Sequence, residues 1–292
     1  MRPVARLAVL VAFVALATSR LGLVAHELVG HGGMALAVGA RILEVRLFWF
    51  AGGWIRYVGA PDLAAVLAIS MAGIAVELAA GTALWLAARG DSLGRRILRA
   101  IGAALVLHAT WYLATGAFNG FGDGVVLYRV LGPWRVPVAV AAGLVTCAAA
   151  YLGAREVLGA LAATLPRHKV AGTVAALAAA GALHAALAVG ELRVRADRTY
   201  AQTMAPERER VVTQWIDAHP DAPAPVRAAA VHKLEAEHPT FPFVWLLAIA
   251  TAAALAAGAW RAKPAEEAPI PRRLLIAWAV AAVLAIALVI AV

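Results

Sequence analysis

Hydrophobic residues in this chain run in long blocks, with few of the short alternations of a soluble sheet protein. The first block, 7–40, is interrupted by ionisable groups only at Arg20, His26, Glu27, His31. A membrane-crossing helix needs about 20 predominantly apolar residues. The first block is therefore too long for one straight span and short for two, and it predicts a single long or broken helix. Similar blocks at 61–88, 97–118, 136–161, 170–189, 241–260 and 274–292 predict further spans. Between the first two blocks the period changes. Residues 42–48 partly alternate and are rich in β-formers, Ala51-Gly52-Gly53 can turn, and Trp54-Ile55-Arg56-Tyr57-Val58 alternates again. That pattern predicts a β-hairpin at 42–58. The expected fold is an all-α polytopic membrane protein of about six to seven spans, with a small β-hairpin after the first span.

Two stretches depart from this plan. Asn119-Gly120-Phe121-Gly122-Asp123-Gly124 carries three glycines in six residues and must break a regular helix. It is followed by a short apolar piece at 125–131. Residues 191–240 are the long polar stretch, with scattered charges, several prolines and helix-like pieces near 205–218 and 225–237. They read as an extramembrane insert, either a gate or partner-binding element or a solvated connection. A cleaved leader is a rival reading of the start, because Arg2 and Arg6 precede an apolar run ending in Ala15-Leu16-Ala17.

Composition closes off several classes. Of 292 residues, 63% are hydrophobic and 15% charged, and the mean hydropathy is +0.80. Soluble domains run about 45–50% apolar and about 25% charged. A soluble globule, a disordered chain and a nucleic-acid module are thereby excluded, and the lipid bilayer is the expected partner. The net charge of +9 fits cytoplasmic loops and anionic headgroups. Arginine dominates the basic residues, with lysine only at 169, 233 and 263, which suggests a GC-rich bacterium and its cytoplasmic membrane. The short basic loops at 89–99, 155–169 and 261–273 fall in the cytoplasm by charge, which puts the hairpin outside. Cys147 is the single cysteine, so no internal disulfide and no thiolate cluster can form. Any metal must be held by His, Asp or Glu.

Ionisable groups inside spans are expensive, and each marks a candidate site. They are His26, Glu27, His31, Glu77, His108, Asp123 and His184. The first three form His26-Glu27-Leu28-Val29-Gly30-His31. Zinc proteases usually carry H-E-x-x-H, which places two imidazoles on one helical face beside a general base. Here the histidines are i and i+5. At about 100° per residue they lie roughly 140° apart on an ideal α-helix. A π-turn would return them to one face, and Gly30, Gly32 and Gly33 ease such a distortion. A π-bulge or helix break is therefore predicted at 26–31. Asp123 is the best third ligand, with a helix N-cap as its alternative role. Glu77 is the runner-up ligand, or a structural carboxyl. His108 and His184 read first as packed, hydrogen-bonded histidines.

Taken together, His26-Glu27…His31, the hairpin, Ala72-Gly73…Glu77 and Asn119…Asp123-Gly124 resemble the site-2 protease family of intramembrane zinc metalloproteases. The order matches that family's three-span core, and the resemblance covers about residues 5–131. The histidine spacing is one residue longer than the family's, Glu77 stands where the second-span patch has an amide, and the prolines of both patches are missing. A similar H-E-L-L-G-H occurs in the soluble zinc exopeptidase dipeptidyl peptidase III. The resemblance implies a catalytic core at 1–131, additional spans at 132–190, the polar insert at 191–240 and C-terminal spans at 241–292. It implies Zn2+ held by His26, His31 and Asp123, with Glu27 as catalytic base. Glu77, Asn119 and His108 would support the site or position substrate, which would be a membrane-anchored protein. Family topology places the hairpin on the cytoplasmic side, against the charge count. The hairpin either pairs with an extended substrate or plugs the spans. A non-catalytic scaffold or chaperone for membrane helices is the alternative reading. A transporter relaying protons through Glu77, Asp123 and the histidines is another, although no internal repeat is visible.

Overall fold

The computed structural model describes residues 3–292 except 168, 239–240 and 264. Arg2 of the leader reading and the expected end of the polar insert at 239–240 lie outside the described residues. Seven helical segments among the described residues are long and apolar enough to cross a membrane: Pro3–Ala37, Leu63–Ala87, Leu93–Asn119, Gly132–Ala163, Lys169–Arg195, Phe243–Trp260 and Arg272–Ala291. Their outer faces carry exposed large apolar side chains such as Leu144, Val174, Ile249 and Leu284. Such faces are stable only against lipid. The chain is a multi-pass, all-α membrane protein with one small hairpin.

The first segment is not uniform. Helix α1 (Pro3–Val24) passes into a π-helical stretch, Ala25–Gly32, and then into a short α2 (Gly33–Ala37). The hairpin follows as β1 (Arg41–Leu47) and β2 (Gly53–Val58). The strands are antiparallel, from Arg41 opposite Val58 to Leu47 opposite Gly53, with a bulge between Ile42 and Glu44. Helix α3 (Leu63–Ala87) begins at Asp62, whose side chain accepts from the Ala65 N–H at 2.8 Å. Helix α4 (Leu93–Asn119) begins at Ser92, capped in the same manner. It ends at Gly120, whose left-handed φ of +65° favours glycine. A single 3₁₀ turn, Gly122–Gly124, leads into α5 (Val125–Val130), and a second at Gly132–Trp134 leads into α6 (Arg135–Ala163). Then come α7 (Lys169–Arg195), α8 (Arg198–Met204), α9 (Glu207–Ala218), α10 (Ala224–Ala236), α11 (Phe243–Trp260) and α12 (Arg272–Ala291).

The main apolar core lies where α1, α4, α6 and α7 meet, around Leu7, Leu10, Ile97, Ile101, Leu161 and Ala176. Thr146 of α6 donates to Thr110 of α4 at 2.8 Å, a buried bond between close-packed helices. The hairpin turn is clamped from two spans. Arg20 of α1 donates to the carbonyls of Phe48 (2.8 Å) and Ala51 (2.6 Å). Glu191 of α7 accepts from the backbone N–H groups of Trp49 (2.6 Å), Phe50 (2.6 Å) and Ala51 (3.2 Å). A buried cation and a buried anion thus satisfy opposite polarities of one turn.

Glu191 also moves a boundary. The expected insert begins at 191, but α7 continues to Arg195. The first charge after the apolar block is a buried ligand of the hairpin, not the start of solvent. The insert itself holds α8, α9 and α10 and is docked, not merely solvated. Asp197 pairs with Arg46 at 2.5 Å. Tyr200 packs against Phe48 and Trp54. Glu207 donates its N–H to the Gly120 carbonyl at 3.1 Å, and its carboxylate accepts from Arg129 at 2.7 Å and 3.2 Å.

Candidate metal centre

The i→i+5 bonding of Ala25–Gly32 adds one residue to a helical turn and so brings residues five apart onto one face. The ring centroids of His26 and His31 are 4.7 Å apart and meet edge-on. The π-turn expected from the histidine spacing is therefore present at the expected residues.

Asp123 completes a cluster. Its Oδ2 lies 2.9 Å from His26 Nε2 and 3.1 Å from His31 Nε2. One ligand atom from each of the three residues falls within 4.8 Å of the others. A four-coordinate zinc with bonds of about 2.0–2.1 Å sets neighbouring ligand atoms about 3.3 Å apart, close to both distances. His31 Nε2 is buried with no hydrogen-bond partner among the described residues. Asp123 Oδ2 accepts a hydrogen bond from His26 Nε2, and the same three side chains are placed so that a cation could take the proton's position.

The opposite ring nitrogen anchors the His31 imidazole. His31 Nδ1–H donates to the Ile69 carbonyl of α3 at 2.6 Å, which leaves Nε2 free to face Asp123. His26 Nδ1 lies 3.5 Å from Glu77 Oε1, long for a hydrogen bond. Glu77 in turn accepts from His108 Nδ1 at 2.8 Å. A carboxylate or carbonyl behind each metal-facing histidine is the arrangement that sets tautomer and orientation at metal sites. Glu77 thus stands behind His26 and not in the cluster, and His108 holds Glu77.

Helix α3 reaches this site because glycines allow it. A Cβ on Gly30 would lie 2.5 Å from Gly73 Cα, so the π-turn and α3 cross backbone to backbone. A Cβ on Gly73 would lie 2.6 Å from His26 Nε2 and 2.7 Å from His31 Nε2. Gly73 is a wall of the cluster.

A cavity of about 130 Å³ opens beside it, lined by Glu27, His31, Tyr57, Tyr112, Asp123 and Arg210 among others. Glu27 comes from the π-turn, Tyr57 from β2, Tyr112 from α4 and Arg210 from α9 of the insert. Burial alone would raise the Asp123 carboxyl, but the His26 and His31 contacts outweigh it and hold the group below the usual aspartate range. Burial pulls the Arg210 guanidinium down from its ordinary value, opposed by Glu207 and Tyr112.

The candidates His26, Glu27, His31 and Asp123 are brought together, with Glu77 and His108 behind them. Asn119 is not among the cavity-lining residues, and its Oδ1 is buried without a hydrogen-bond partner among the described residues. His184, on α7, stands outside the cluster, and its Nδ1 likewise has no such partner. Sequence reasoning missed Tyr112 and Arg210. Tyr112 carried a faint signal, one helical turn after His108 on the same face of α4. Arg210 carried none, since the insert's docking is purely tertiary. The chain matches no protein-family model, no curated protein and no solved structure.

Proposed function

We propose that this protein is a zinc-dependent intramembrane endopeptidase of site-2 protease type, resident in a bacterial cytoplasmic membrane, that cleaves a membrane-anchored protein within or near the bilayer. The observation that carries the reading is the convergence of His26 Nε2, His31 Nε2 and Asp123 Oδ2 beside a cavity that Glu27 shares. A His₂Asp donor set leaves a fourth position open, as hydrolytic zinc sites require. Bound zinc supplies Lewis acidity, which polarises a scissile carbonyl and lowers the pKa of water toward ~7.

The chain's own groups do the rest. Glu27 takes the proton of the attacking water and returns it to the leaving amine nitrogen. The Ile69 carbonyl keeps the His31 proton on Nδ1, and Glu77, held by His108, stands behind His26. A substrate helix must unwind before its backbone can enter, since its amides are bonded to one another. Strand β2 lines the cavity through Gly53, Trp54, Ile55 and Tyr57, which favours strand addition over a plug: the unwound segment would recover its hydrogen bonds there. The π-turn at Ala25–Gly32 puts both histidines on one face despite their long spacing, which supports the catalytic reading over a non-catalytic scaffold.

The test is Glu27→Gln in full-length protein, reconstituted in vesicles with zinc and single-span reporter proteins. The reading predicts unchanged zinc content and cleavage reduced by about 10²–10⁴-fold. Reporter cleavage by the variant at the unaltered rate would refute it.

A further inference from the structure

Tyr112 sits in the cavity wall with Glu27, His31 and Asp123, yet nothing in the scheme above uses it. Its ring is fixed on three sides. The His26 ring meets it edge-on at 6.1 Å, His108 stacks on it at 5.9 Å, and Phe121 meets it edge-on at 5.7 Å. The glycine-rich turn is shaped around its oxygen. Gly122 has φ +53°, and a Cβ there would overlap the Tyr112 hydroxyl. A phenol hydroxyl has one hydrogen to donate. With the ring immobilised and the turn closed over one side, that hydrogen is available to a group in the cavity.

We propose that Tyr112 is a catalytic residue, its O–H donating a hydrogen bond to the carbonyl oxygen of the scissile amide as negative charge develops there. The inference rests on the hydrolytic reading above and adds a residue to it. In the step, the water oxygen bonds to the carbonyl carbon while its proton passes to Glu27 and the carbonyl π-electrons move onto oxygen. The C–N bond then breaks, the carbonyl re-forms, and Glu27 returns the proton to the amine nitrogen. Tyr112 keeps its own proton throughout. A donor held at this position before reaction needs no reorganisation when charge appears, and losing one such donor costs about 10²–10³-fold in turnover.

The experiment compares wild-type and Tyr112→Phe proteins, full-length and zinc-loaded, with three readouts: zinc affinity, turnover of a saturating single-span reporter, and the affinity of acetohydroxamate, whose anionic oxygen presents a similar acceptor. The proposal expects wild-type zinc affinity and thermal midpoint, turnover lower by about 10²–10³-fold, and hydroxamate binding about tenfold weaker. Wild-type turnover in Tyr112→Phe overturns it. Zinc lost in step with activity also overturns it, because Tyr112 would then only brace the Asp123 turn. A wild-type protein that takes up no zinc and cleaves no reporter fails the hydrolytic reading first, and the role of Tyr112 falls with it.

Discussion

Gly73→Ala is a one-carbon perturbation aimed at the centre of the cluster. The added Cβ would sit 2.6 Å from His26 Nε2 and 2.7 Å from both His26 Cδ2 and His31 Nε2. Non-bonded carbon contacts are comfortable at about 3.5–4.0 Å, so both imidazoles must retreat, or α3 must lift, by roughly 1 Å. Helix α3 cannot lift freely, since Gly30 already crosses Gly73 at backbone contact. Metal sites tolerate displacements of about 0.2 Å in ligand distance. Zinc affinity should therefore fall by about 100-fold or more, with overpacking costing about 1–3 kcal/mol of stability. Competition with a fluorescent zinc chelator measures the first and a thermal melt in detergent the second. Gly181→Ala is the control, because a Cβ there meets nothing within 4 Å. Wild-type zinc affinity in Gly73→Ala would refute the reasoning, since two imidazoles facing this glycine could not both have stayed in place.

Two other substitutions probe the support around the site. Glu77→Gln removes the charge behind His26 while keeping the shape and should weaken zinc binding by about 10–100-fold; unchanged affinity in the same chelator assay would detach Glu77 from the centre. Glu191→Ala strips the acceptor from three backbone N–H groups at 49–51 and should destabilise by about 1–3 kcal/mol for each one left unsatisfied. Amide exchange measured by mass spectrometry should accelerate at the hairpin turn, and exchange at the wild-type rate would contradict the clamp.

The parts legible from sequence are those governed by short-range periodicity. Apolar block length located the spans, and alternation located the hairpin, observed at Arg41–Leu47 and Gly53–Val58 against the expected 42–58. The π-turn was legible because two buried histidines five apart can share a face in few other ways. Asp123 stood out because glycines on both sides let the backbone approach. What remained hidden depends on contacts between elements distant in sequence. Glu191 reads as the end of an apolar block until the hairpin amides it accepts from are seen. Gly73 looks like any small residue in a span, and only the crossing with Gly30 shows why a side chain is forbidden. Arg210 enters the cavity because α9 is held by Glu207 against Gly120 and Arg129, a docking no local pattern encodes. Asn119 ends α4 in the segment the sequence singles out, and it is not among the residues lining the cavity.

The central claim is that His26, His31 and Asp123 hold one metal ion between them. The direct measurement is zinc K-edge absorption spectroscopy on the full-length protein, with metal content determined on the same sample. The account predicts one zinc per chain, with two imidazole nitrogens and carboxylate oxygen at about 2.0–2.2 Å, and loss of that signal in Asp123→Ala. A protein that stays zinc-free at equilibrium with the metal, or an Asp123→Ala spectrum identical to wild type, would contradict it.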